Sequence, residues 1–140
     1  MLNNINHAVK ALIYQDDCKI LLQQRDYSPG ILFPGYWTFF GGLVEEGESL
    51  EKALERELIE ELGCLPGKIQ KEIFEWVWSG ESIIYNHCLP IRCEVDSGLL
   101  ELNEGLAMKW FYIEELRKEL PLVPGILNNL NKVHNFLKLF

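Results

Sequence analysis

Between Gly42 and Cys64 the chain reads GLVEEGESLEKALERELIEELGC, and this stretch limits fold and chemistry more than any other. Gly42 is followed after five residues by Glu48, and after seven more by Arg56-Glu57-Leu58, then Glu60-Glu61 and Gly63. Ser49 is a good N-cap, helix formers follow it, and Gly63 with Pro66 beyond supplies a stop, so the pattern predicts a helix. At about 100° per residue, Leu50, Ala53, Leu54 and Leu58 form one apolar stripe that faces a core.

Glu57 and Glu61 fall on that stripe, and Glu60 lies at its edge one turn from Glu57. The ordinary reading of an acidic run on a helix is a solvated face. Such a face would sit opposite the leucines, whereas these acids continue the leucine line at spacings where like charges repel. Carboxylates held together beside a core are tolerated when a cation neutralises them, and oxygen-only ligands suit Mg²⁺ or Mn²⁺. The stretch points to a hard divalent metal site.

The stretch resembles the signature of the Nudix hydrolases: glycine, five residues, Glu, seven residues, then Arg-Glu-apolar-x-Glu-Glu-x-Gly-apolar. Seven positions demand one residue type each, so a chance match has odds on the order of one in a hundred million per window. Cys64 fills the last apolar place, a departure that concerns packing. The resemblance implies Glu60 and Glu61 as principal metal ligands, Glu57 as ligand or general base, and Arg56 as the group that orients carboxylates, with a plain surface ion pair as its alternative. It also implies that the Gly41 carbonyl ligates metal, and it places Glu48 at the metal or just behind it.

With 140 residues and 48% apolar content, the chain suits one domain spanning residues 1–140 that buries about two thirds of its unfolded surface. A net charge of −8 disfavours duplex nucleic acid and anionic membranes. Small phosphorylated ligands remain compatible, because metal ions reverse the sign of an acidic cleft. Cys18, Cys64, Cys88 and Cys93 form no Cys-x-x-Cys pair and no basic-then-apolar leader is evident, so reduced thiols and a cytoplasmic location are expected. His7, His87 and His134 are scattered without metal-ligand spacing, and no structural zinc site is expected.

Along the chain, Asn6 to Gln24 reads as a hairpin around Asp16-Asp17, and residues 26–36, with two Pro-Gly pairs, as a loop. Trp37 to Phe40 is a short strand leading to Gly41-Gly42, whose adjacent glycines signal a tight backbone approach. Where this chain has Phe40, the family pattern commonly has proline. Lys68 to Trp78 and Ser82 to Val95 read as a second hairpin, with Pro90 marking an edge or a bulge. Phe74, Trp76 and Trp78 alternate onto one face, as core or as a platform for a base. Ile113 to Leu120 and Gly125 to Leu137 read as packing helices.

By resemblance, Arg25 faces nucleotide phosphates and Glu104 supplies a further metal ligand or the base, with Glu101 as the rival position and a surface role open for both Arg25 and Glu104. Arg25, Gly42, Glu48 and Trp78 are the candidate substrate-binding residues. Pro124 stands where the MutT-like branch carries a purine-reading Asn, so narrow specificity for an oxidised guanine nucleotide is not expected. The implied fold is α/β (α+β), a three-layer α/β/α sandwich around a mixed sheet. The implied activity is Mg²⁺-dependent hydrolysis, with Mn²⁺ as a substitute, of a phosphoanhydride in a nucleoside diphosphate derivative, foremost a nucleoside triphosphate. ADP-ribose, sugar nucleotides, dinucleoside polyphosphates and capped RNA are the alternative substrates, a non-catalytic nucleotide-binding module is the alternative class, and the expected assembly is monomer or homodimer.

Overall fold

The computed structural model describes residues 5–116 and 121–138. Strand β1 (Ile5–Tyr14) is the axis of the sheet. On one side it runs parallel to β6 (Ile83–Arg92) along its whole length, from Ile5↔Ile83 to Tyr14↔Arg92. On the other it pairs with β2 (Lys19–Gln24) next to the turn, at Ile13↔Leu21 and Tyr14↔Ile20. Beyond that point the two strands diverge and one segment fills the fork. Its first part, β3 (Trp37–Thr38), pairs with β2, and its second, β4 (Phe40–Leu43), pairs with β1. The edges are β5 (Phe74–Ser79), antiparallel to β6, and β7 (Ala107–Tyr112), antiparallel to β2.

Strand alternation assigns the two faces. Val9, Ala11 and Ile13 pack with Ala53, Leu54, Leu58 and Leu62 of helix α1 (Leu50–Leu62). Leu12 and Tyr14 face the other way, toward Ile126, Leu130, Val133 and Leu137. Those residues come from α3 (Pro124–Leu127) and α4 (Leu130–Leu137), which close the third layer together with α2 (Ile113–Leu116). The fold is therefore the expected mixed sheet between helices.

Several boundaries differ from the expectation. The closing helix is two pieces, because Asn129 turns its side-chain amide back onto the Gly125 carbonyl at 2.7 Å and its backbone (φ −121°, ψ 14°) leaves the helical region. The expected short strand at residues 37–40 extends to Leu43 and changes partner at Phe39. The first strand of the second hairpin starts at Phe74 instead of Lys68, since residues 68–73 hold the sheet by separate contacts, such as Gln70 N–H to the Pro90 carbonyl. Pro90 itself lies past the last β5 pair, Phe74↔Cys88, where a missing N–H does no harm to the ladder. Of the helix expected over Ile113–Leu120, the part at 117–120 lies outside the described residues. No helix among the described residues is long and apolar enough to cross a membrane.

Candidate active site

Helix α1 begins as its sequence requires. The Ser49 hydroxyl accepts the Lys52 N–H at 3.1 Å, and Gly63 ends it in the left-handed region, φ +80°. Its inward face then delivers Glu61 into the protein, where the residue is only 1% exposed. The Glu61 carboxyl accepts the Gly41 N–H at 3.1 Å and the Gln23 side-chain amide at 3.0 Å, so β2, β4 and α1 all fix one group. Burial first, then the charges of Glu104 and Glu57, push its pKa up to about 8.

One turn earlier, Glu57 lies directly over the backbone of Gly42. A Cβ at Gly42 would stand 2.4 Å from the Glu57 carboxyl carbon, so only glycine leaves room for this carboxylate. Gly41 is excluded from substitution differently: its φ is +146°, and a Cβ there would come 1.9 Å from the Val9 carbonyl oxygen. Arg56 ties these groups together. It holds both oxygens of Glu48, each at 2.9 Å, while also donating to Glu57 at 2.8 Å and the Leu43 carbonyl at 3.1 Å. The guanidinium pulls the Glu48 pKa down to about 2, with the Glu45 N–H adding to the effect. Glu48, expected among the substrate-binding groups, is thus committed to Arg56 and does not line the cleft described below.

Glu60 is largely exposed and 3.9 Å from Arg56. Residues 101–103 dock on the end of α1, with Glu101 N–H on the Leu62 carbonyl, Asn103 N–H on the Glu61 carbonyl and the Asn103 amide on the Glu60 carbonyl. This brings Glu104 within electrostatic reach of both Glu61 and Arg25. Glu101, the rival position, sits instead beside Gly63.

A cleft of about 430 Å³ opens beside these acids. Arg25, Gly42 and Trp78 are among its lining residues, and next to Gly42 the Gly41 N–H holds the Glu61 carboxyl. Arg25 donates to the Leu32 carbonyl at 2.7 Å, and burial lowers its pKa. Lys10, not singled out from the sequence, also lines the cleft; burial and Arg25 lower its pKa while Glu61 and Glu57 oppose the shift. Its signal was there to read, as the one charge in an otherwise apolar strand, AVKALIY. Phe33, from the 26–36 loop, meets Trp78 edge-on at 5.4 Å, and loop composition offered no hint of it. Across from them, Trp76 packs against Gly125, where a Cβ would come within 2.6 Å of the ring.

The carboxyl oxygens of Glu57, Glu60 and Glu61 do not converge within 4.8 Å of one another: Arg56 holds Glu57, and Gly41 with Gln23 hold Glu61. The donor chemistry nevertheless suits a hard divalent cation. Every candidate ligand is oxygen, and a buried carboxyl crowded by two further carboxylates gains most from a positive ion.

The NUDIX domain model matches residues 5–130. Among curated proteins, a nucleoside triphosphatase NudI of Salmonella arizonae is 50% identical over 52 residues, 37% of this chain and 36% of that protein. The chain thus spans about a third of the length of that relative. Among solved structures, the Escherichia coli ORF135 protein is 31% identical with a TM-score of 0.75, covering 98% of this chain and 91% of that one. The MutT protein from Methanosarcina mazei Go1 has a TM-score of 0.83 at 20% identity, covers 99% of both chains, and speaks for the fold alone. With a family model spanning nearly the whole chain and the signature residues forming helix α1 and the Gly41-Gly42 turn against it, the chain belongs to the Nudix hydrolase family.

Proposed function

We propose that the chain hydrolyses a phosphoanhydride bond in a nucleoside diphosphate derivative, with nucleoside triphosphates as the preferred class and Mg²⁺ as the activating ion, for which Mn²⁺ substitutes. The observation that carries this reading is the juxtaposition of Glu61 and Glu57 with two cleft cations, Lys10 and Arg25, beside an aromatic wall. The partial likeness to a nucleoside triphosphatase supports the substrate class.

Glu57, Glu60 and Glu61, with the Gly41 carbonyl and Glu104, would hold the ion. When bound, it neutralises diphosphate charge and makes water more acidic. The protein's own groups do the rest. Lys10 and Arg25 take phosphate oxygens, and Trp78 with Phe33 offers ring surface to the base. Arg56 keeps Glu57 over Gly42, and Gly41 with Gln23 orients Glu61. Water attacks phosphorus, its proton passes to a carboxylate, Glu57 or Glu104, and the bridging P–O bond breaks as the phosphate leaving group departs.

The test is a product-resolved screen of nucleoside triphosphates and other nucleoside diphosphate derivatives with Mg²⁺ and with Mn²⁺. Glu61→Gln is expected to keep the far-UV circular dichroism of the parent while its turnover falls by about 100-fold or more. Undiminished turnover in that variant overturns the assignment. Nucleotide binding with no phosphate product in any arm would mean a binding module instead.

A further inference from the structure

We propose that Glu72, Glu75 and His87, supported by His7, form a second cation site, one for a zinc-like ion, on the sheet face opposite the cleft. The sequence separates His7 from His87 by 80 positions, but the parallel pairing of β1 with β6 puts them side by side. Strand alternation points Trp76 and Trp78 into the cleft and Glu75 away from it, and likewise separates Asn86 from His87. His87 pairs with Val9, which packs against α1, so this site lies on the α1 side of the sheet, toward the β5 edge and away from the cleft.

The His87 ring is nearly buried. Its Nδ1 is in contact with Glu72 and 3.5 Å from Glu75, and one donor atom from each of the three residues falls within 4.8 Å of the others. Its Nε2 lies 2.9 Å from Nδ1 of His7, whose ring stacks on it at 5.1 Å and on Tyr85 at 5.4 Å. If Nε2 carries the proton and donates it to His7, Nδ1 presents a lone pair to two carboxylates. Three electron-pair donors gathered this closely offer a seat for a cation. An imidazole whose far nitrogen is engaged in a hydrogen bond is the usual arrangement of a ligating histidine. A nitrogen donor with two carboxylates favours Zn²⁺, Co²⁺ or Ni²⁺ over Mg²⁺, and the exposed sides of Glu72 and Glu75 leave an approach from solvent.

Such an ion would join the irregular segment carrying Glu72 to β5 through Glu75 and to β6 through His87, bracing the edge strand whose other face supplies Trp76 and Trp78. The test is calorimetric titration of the metal-free protein with ZnCl₂ in excess Mg²⁺, on the parent, Glu72→Gln/Glu75→Gln and Glu61→Gln. The expected result is one equivalent bound by the parent and by Glu61→Gln, at least tenfold weaker binding by the double variant, and a zinc-edge anomalous peak at His87 Nδ1 in soaked crystals. Equal affinity in the parent and the double variant, or loss of the equivalent in Glu61→Gln instead, overturns the proposal. No zinc binding at all also overturns it. The double variant alters two exposed side chains, and its thermal transition without zinc reports whether it folds.

Discussion

Two adjacent glycines illustrate how different the demands on neighbouring residues are. At Gly41 an added methyl meets backbone, the Val9 carbonyl oxygen, in a conformation that side chains rarely adopt. At Gly42 it meets the tip of a flexible side chain, the Glu57 carboxyl. Gly41→Ala is accordingly expected to lose about 1–3 kcal/mol of stability in urea unfolding. Gly42→Ala should unfold near the parent midpoint yet lose most of its turnover, because Glu57 must move. Glu61 supplies a pH test on the same scale. Its folded pKa of about 8 lies above the ordinary 4.5, so the unfolded chain releases this proton first and the folded state holds it longer. Without added metal, the Glu61 contribution to stability is expected to fall as pH rises between about 4.5 and 8 and then level off. Glu61→Gln should flatten that slope in a series of thermal melts.

At the scale of elements, the short α3 and the edge strand β5 meet at the cleft. Gly125 permits the Trp76 ring to lie against the α3 backbone, and Asn129 ends that helix so that Asn128 and Asn129 face the same space. Gly125→Ala forces the ring away, far from the carboxylates that perform the chemistry. The expected outcome in steady-state kinetics is a KM raised by about tenfold, roughly 1.4 kcal/mol of binding, with kcat little changed. Helix α1 behaves differently, since Arg56 makes it the holder of both Glu57 and the loop that carries Glu48.

Across the whole molecule, β1 is the member on which everything else closes. It touches β2, β4 and β6, and it supplies inward residues to both cores, Val9, Ala11 and Ile13 on one face and Leu12 and Tyr14 on the other. Opening it exposes both layers at once. Native-state hydrogen exchange should therefore find the slowest amides in Val9–Ile13 and their β6 partners, with β5 and β7, the two edges, exchanging sooner.

Local rules reach only a few residues, and what they govern was legible beforehand. The cap at Ser49, the stop at Gly63, the carboxylates continuing a leucine stripe and the alternation of Phe74, Trp76 and Trp78 all follow from backbone periodicity, and all are present in the structure. Pairing between distant strands depends on which faces find each other to bury, and no local pattern encodes that. Only the tertiary structure parted β1 from β2 to admit residues 37–43, brought Lys10 to the acids of α1 and Arg25 to Glu104, and set His7 against His87 across 80 positions of chain.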